Sequence, residues 1–183
     1  PCLFTGTIVP GLPPLYVGLY VDDFLYFSTS SEVEAAFEHG LKHELNMGVD
    51  FDHDPQHFLG LKMECTKHTD NHVDVFLSQE AFIDSLLITH NLHTSSFTPH
   101  TPYRSGYPVD KIPMDTNLPP HVLKTSQQLL QTIVGSLNWL DVSTRPDIAT
   151  ITNLLAHYMH SATPSHVTAA KYVLRYLKGT CPS

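Results

Sequence analysis

Between residues 94 and 124 the chain carries Pro99, Pro102, Pro108, Pro113, Pro119 and Pro120, with little hydrophobic periodicity. Proline fixes φ and lacks a backbone N–H, so this density excludes a regular helix and an interior strand. The stretch reads as an extended tether between two differently patterned regions. Ahead of it lie short runs of Val, Leu, Phe and Tyr broken by turn residues, the pattern of strands with helices among them. Behind it apolar residues recur every three or four positions, the pattern of helices. An α+β chain is expected, with divisions at 1–93, 94–124 and 125–183.

Within the first region, Leu15 to Val21 and Phe24 to Phe27 are apolar runs flanking Asp22-Asp23. The two runs predict a hairpin with the aspartates at its turn. Along one extended strand neighbouring side chains point to opposite faces, whereas a tight turn lets both carboxylates converge on one point. Convergent oxygens suit a hard divalent cation such as magnesium. Asp is also a common turn residue for purely local reasons. Two-residue hairpin turns, however, favour Asn-Gly or Asp-Gly, so Asp-Asp is a poor local choice, and such choices mark function in some proteins.

Ser31 with Glu34 forms a capping-box pattern ahead of a helix whose apolar stripe is Val33, Phe37, Leu41 and Leu45. His39 and His43 have a spacing that holds zinc, but Gly40 stands where the metalloprotease motif needs Glu, and a solvated face explains the pair. Asp50, Asp52 and Asp54 alternate as in a calcium loop, yet Pro55 and Leu61 occupy positions such a loop gives to Gly and Glu, so this is a solvated turn. Phe58–Cys65 and Val73–Leu77 read as strands around Thr69-Asp70-Asn71. Ser78 then caps a helix to about His90, burying Phe82, Ile83, Leu86 and Leu87.

The last region predicts three helices. One starts at Ser126 and carries Leu129, Leu130, Ile133, Val134, Leu137 and Leu140. Another is capped by Thr144, with Pro146 and Asp147 in its first turn, and the third is opened by Thr163-Pro164 and closed by Gly179. On the last, Lys171, Arg175 and Lys178 form a basic stripe that either complements the helix dipole or follows a phosphate backbone. Arg145, just before a helix, has the same two readings.

With 10 basic and 18 acidic residues the formal charge is −8, the wrong sign for a free-standing nucleic-acid binder. No apolar run is long enough to span a bilayer, so no membrane partner is expected. Cys2, Cys65 and Cys181 are far apart without a CxxC, which indicates neither a zinc site nor a disulfide framework and points to an intracellular setting.

Tyr20-Val21-Asp22-Asp23 is identical to the catalytic box of reverse transcriptases, and an ordered series of other stretches resembles the copia-type (Ty1/copia) retrotransposon branch. These are Phe58-Leu59-Gly60-Leu61, Leu77-Ser78-Gln79, Val134 to Leu140, Thr144-Arg145-Pro146-Asp147-Ile148-Ala149 and Ala169 to Thr180. The resemblance runs from about residue 15 to the end. It implies a partial antiparallel polymerase palm and the start of a thumb over 1–93, the Pro-rich tether over 94–124, and a helical connection over 125–183.

The implied activity is RNA-directed DNA synthesis on a template-primer with dNTPs, using two magnesium (or manganese) ions about 4 Å apart. Asp22 and Asp23 would hold the metal. Tyr20, Val21, Phe58, Leu59 and Gly60 would form the primer and nucleotide surface, and Arg145, Lys171, Arg175 and Lys178 would contact nucleic acid. A further carboxylate, with the fingers and the rest of the palm, would lie upstream, and a ribonuclease H domain downstream in the same polyprotein. An internal segment of that polyprotein, inactive by itself, is the expectation, and cytoplasmic particles and the nucleus follow as locations. Where the family has Met-Lys-Asp-Leu-Gly this chain has Met47-Gly48-Val49-Asp50-Phe51, so the lysine implied to assist pyrophosphate departure is absent there. That departure and the acidic charge leave an alternative: a non-enzymatic retroelement remnant acting as a binding or interaction module. An unrelated metal- or phosphate-handling enzyme finds no Gly-rich loop or nucleophile triad to support it.

Overall fold

The computed structural model describes residues 2–69, 73–104, 109 and 118–181. Pro108, Pro113 and the Asp70-Asn71 turn therefore lie outside the described residues, as does much of the expected tether. The architecture is α+β, as expected: two three-stranded sheets and five α-helices among the described residues. Two compact units divide the chain, Pro1–Phe58 and Leu59–Ser183.

The first unit is an antiparallel meander of β1 (Leu3–Gly6), β2 (Leu15–Tyr20) and β3 (Asp23–Phe27), followed by α1 (Ser31–His39). Pairing of Tyr16 with Phe27 and Val17 with Tyr26 sets the register, so Phe24 and Tyr26 share one face with Leu15 and Val17. There they meet Phe37 and Phe51 with ring centroids between 5.1 and 6.2 Å apart, a small aromatic core beside the fully buried Val33. Tyr26 donates its hydroxyl to Glu38 at 2.6 Å, and burial together with this carboxylate raises the phenol pKa.

Two local expectations need correction here. Ser31 does not cap α1; the Glu34 carboxylate instead accepts from the Ser28 N–H at 2.9 Å, one turn further back than a capping box requires. After His39 the helix widens into a π-helical turn, Gly40–Glu44, in which the Leu45 N–H donates to the Gly40 carbonyl. A wider turn no longer returns a four-residue spacing to one face, so Leu45 leaves the stripe and is 66% exposed.

A short β4 (His57–Phe58) precedes the hairpin of β5 (Leu61–Lys67) and β6 (Val73–Ser78) and then α2 (Glu80–Thr89). The unit continues with α3 (Pro120–Ser143), α4 (Ala149–Ala156) and α5 (Pro164–Thr180). One core collects Ile83, Leu86 and Leu87 of α2 with the α3 stripe Leu130, Ile133, Val134, Leu137 and Leu140 and with Val173, Leu174 and Leu177 of α5. Sharing this core places α2 with α3, α4 and α5 in the unit Leu59–Ser183. None of the described helices is long and apolar enough to cross a membrane.

Helix ends again show where local signals yield. Ser78 closes β6, so Gln79 rather than Ser78 precedes α2. The third helix begins at Pro120, six positions before Ser126, because a proline in the first turn gives up an N–H that would be unpaired anyway. Thr144 is not an N-cap but closes α3, its N–H donating to Leu140 O at 3.0 Å; Arg145 leads a 3₁₀ turn, Pro146–Ile148, into α4. The Thr163-Pro164 start is as expected, with the Thr163 N–H donating to Nδ1 of the buried His166 at 3.2 Å. Gly179 is a helical residue, not a cap: a Cβ there would lie 2.7 Å from Thr98 Cβ, so close approach requires the glycine.

Candidate metal-binding hairpin

The β2–β3 hairpin pairs Tyr20 with Asp23, so its two-residue turn is Val21-Asp22, one position earlier than the Asp-Asp turn expected. Val21 has φ +53°, in the left-handed region, and Asp22 does not, which is the φ pattern of a type II′ turn. Glycine is the usual residue there; a β-branched side chain at positive φ is strained by about 1–3 kcal/mol. The strand pairing on either side imposes this conformation, with Asp22 at the tip and Asp23 opening β3.

Strand register fixes where Asp23 faces. It stands opposite Tyr20 and shares a face with Leu25 and Phe27, away from the aromatic core, and Phe27 stacks on Tyr16 at 4.9 Å. Tyr20 is 56% and Val21 79% exposed, and both aspartates are exposed. Neither carboxylate has a hydrogen bond or ion pair among the described residues, in contrast to nearby Glu34 and Glu38. Two adjacent carboxylates without protein donors are a donor set that fits a hard divalent cation. Among the described residues no group of three His, Cys, Asp or Glu side chains is placed to hold a metal, so this pair would need ligands from water or another segment.

The other expected site residues fall in different environments. Phe58 is half-buried at the end of β4, and Leu59 and Gly60 follow with φ of +52° and +76°, the two successive left-handed residues of a type I′ turn. Gly48 is exposed and its neighbour Met47 closes the loop by donating its N–H to Leu41 O at 3.0 Å, while Lys42 lies 4.7 Å over the Phe51 ring. The rings of His39 and His43 lie 4.6 Å apart on an exposed surface.

Of the four cations named in the second unit, two are occupied internally. Arg145 makes a bidentate pair with Asp147 at 3.0 and 2.8 Å, donates to Thr180 Oγ1 at 2.6 Å and lies 5.5 Å from the Tyr176 ring centroid. Tyr176 completes the group by donating to Asp147 at 2.7 Å. Hydrogen bonding from Arg145 holds the Asp147 carboxyl below its usual range. Lys178 donates to the carbonyls of His93 and Ser95 at 2.6 and 2.7 Å, tying that segment to α5. Arg175 has a long 3.5 Å bond to the Lys171 carbonyl, and neither it nor Lys171 meets a carboxylate among the described residues.

One pairing has no counterpart in the sequence reading. Thr144 donates its hydroxyl to Gln79 Oε1 at 2.7 Å across 65 positions, so the Leu77-Ser78-Gln79 and Thr144 to Asp147 stretches meet, with Tyr176 and Thr180 beside them. Three stretches that look separate in the sequence are thus parts of one polar brace.

Comparison with curated proteins gives relatives over nearly the whole chain. It is 30% identical over 171 residues to a retrovirus-related Pol polyprotein from transposon RE2 of Arabidopsis thaliana, covering 91% of this chain and 10% of the relative. It is 31% identical over 167 residues to the Pol polyprotein from transposon RE1 of the same plant, with the same coverage. A third relative, the Pol polyprotein from transposon TNT 1-94 of Nicotiana tabacum, is 29% identical over 88% of this chain and 12% of its own length. The chain thus spans about a tenth of the length of these relatives. No family model and no solved structure matches. The resemblance to copia-type retrotransposon Pol polyproteins is borne out by these homologues.

Proposed function

We propose that this chain is the palm-to-connection portion of a copia-type reverse transcriptase, and that Asp22 and Asp23 are carboxylates of its nucleotidyl-transfer site. The observation that carries the reading is the exposed, strained hairpin tip with two adjacent carboxylates that no protein donor satisfies. Retroelement homology over nearly the whole chain supports the same assignment.

Asp22 and Asp23 would hold magnesium or manganese, which when bound would lower the pKa of a primer 3′ hydroxyl and neutralise the triphosphate. The protein's own part is positioning. Asp22 and Asp23 are neighbours at the Val21 turn, and the exposed Tyr20 and Val21 would form the surface beside them. The template-primer, dNTPs, the upstream and downstream polyprotein domains and the intracellular setting belong to this proposal.

Because no third carboxylate joins the pair among the described residues, residues 1–183 alone are expected not to extend a primer. Titration calorimetry with manganese on the wild-type chain and on Asp22→Asn/Asp23→Asn tests the site. Binding that disappears in the double variant supports it; binding that persists unchanged places the metal elsewhere and removes the basis of the assignment. A primer-extension assay with the purified chain provides the second check, and metal-dependent incorporation would contradict the expected need for a further ligand.

A further inference from the structure

Where β6 runs into α2, the helical unit holds a small open pocket of about 120 Å³. At about 30 Å³ per water it has room for about four waters, or for one organic group of that bulk. Leu77 of β6 and Ile83 of α2 give it an apolar wall, Arg145, Thr180 and Cys181 stand on another side, and Gln79 and Glu80 line it as well.

Gln79 sets the chemistry of the pocket. The residue is 3% exposed, and its Oε1 accepts from the Thr144 hydroxyl at 2.7 Å. Its Nε2 is buried and has no hydrogen-bond partner among the described residues. A carboxamide nitrogen carries two N–H donors, and leaving them unmet in a covered place is costly. Folded proteins seldom keep such a group unpaired, so an acceptor from outside the fold is its natural complement.

The neighbouring charges narrow the choice of acceptor. Arg145 brings no net charge, because Asp147 pairs with it through both oxygens and Thr180 accepts a further bond. Glu80 is half-buried and has no hydrogen-bond or ion-pair partner among the described residues. A phosphate or carboxylate would be repelled by the Glu80 carboxylate at this range. A cation would pair with Glu80 and leave the Gln79 nitrogen unmet, and a ketone or ether would meet the nitrogen and leave the carboxylate unused. An amide has one of each: a carbonyl oxygen and an N–H on one flat, uncharged frame, whose faces suit the Leu77 and Ile83 wall.

We propose that this pocket binds a neutral amide group, its carbonyl accepting from Gln79 Nε2 and its N–H donating to the Glu80 carboxylate. The amide belongs either to a free small molecule or to a polypeptide, and both sources share this chemistry. The site does not depend on the reading of Asp22 and Asp23.

Cys181 makes the pocket measurable, since it lines the wall as a free thiol while Cys2 and Cys65 are exposed free thiols in the same chain. In alkylation by iodoacetamide the cysteine thiolate attacks the methylene carbon, the S–C bond forms as the C–I bond breaks, and iodide leaves. Burial, and after it the Glu80 charge, holds the Cys181 thiol above its ordinary range, so its rate is read by mass spectrometry as a ratio to that of Cys65. The full chain is used, with propionamide as the neutral probe and propionate as its charged counterpart. Saturating propionamide is expected to slow Cys181 at least about fivefold, the worth of one ordinary hydrogen bond, and to leave Cys65 unchanged, while propionate protects neither. Gln79→Leu is expected to abolish the protection. If that variant does not fold, the preference of the wild-type chain for propionamide over propionate decides alone. Stronger protection by acetyl-Gly-Gln-Gly-amide than by propionamide at equal concentration assigns the site to a polypeptide; equal or weaker protection assigns it to free amides. No protection by either, equal protection by propionate, or protection that survives Gln79→Leu overturns the proposal.

Discussion

The tip of the β2–β3 hairpin and the brace at the end of α5 each bring charged groups close together, and they treat them in opposite ways. At the tip, Asp22 and Asp23 are adjacent, exposed and without protein partners among the described residues, on a turn strained at Val21. In the brace, Arg145, Asp147, Tyr176 and Thr180 satisfy one another, and the Arg145 side chain is only 15% exposed. Paired charges in a largely covered setting contribute to the fold, because removing one leaves another without compensation. Unpaired charges on an exposed turn contribute almost nothing to the fold. The two regions therefore predict opposite responses to mutation.

The largest effect is expected at the brace. Arg145→Ala strands Asp147 and Tyr176, and with the Asp147 side chain 39% exposed the solvent-discounted loss is about 2 kcal/mol, read as a lower urea midpoint at unchanged slope. A loss under about 0.5 kcal/mol would place Arg145 with the exposed charges and dissolve the contrast.

Next comes Gly179→Ala, whose new methyl would meet Thr98 Cβ at 2.7 Å. Overpacking costs about 1–3 kcal/mol and helix propensity returns at most about 1, so a net loss of about 1 kcal/mol is expected in the same measurement. An unchanged midpoint would show that the segment around Thr98 yields freely.

A smaller effect should follow pH. Burial lowers the pKa of His166 from its ordinary 6.5, and desolvation, then Lys171, lowers that of His90. Each histidine binds a proton more readily in the unfolded chain, so stability is fully present above about pH 6.5 and falls as pH drops below it. Urea midpoints at about pH 7.5 and about pH 5.5 check this for the wild type, and His166→Asn should reduce the difference; a midpoint that rises on acidification would contradict the assignment.

The smallest effect on stability belongs to the hairpin. Asp22→Asn/Asp23→Asn should leave the unfolding free energy from urea titration within about 0.5 kcal/mol of wild type while abolishing manganese binding. A gain above about 1 kcal/mol would mean that the tip stores like-charge repulsion. A comparable loss would mean that the carboxylates have a structural role after all.

The sequence by itself determined the elements whose signals are local: the α+β class, the hairpin around Asp22-Asp23, the apolar stripe of α3 and the Thr163-Pro164 start of α5. Neighbouring residues set these through φ preferences, capping and periodicity, which act over a few positions. Tertiary structure decided the rest. Strand pairing moved the turn to Val21-Asp22, because the register depends on which residues face the core formed with Phe37 and Phe51. Packing chose which basic residues are occupied: Lys178 is held by the His93 carbonyl 85 positions away and Arg145 by Thr180 35 positions away as well as by its near neighbour Asp147, while Arg175, on the same helix as Lys178, faces a cleft. It also drew Thr144 from the expected helix cap to Gln79 and put Gly179 against Thr98. Such choices rest on contacts between distant segments, and a one-dimensional pattern carries the residues that make them without the distances that bring them together.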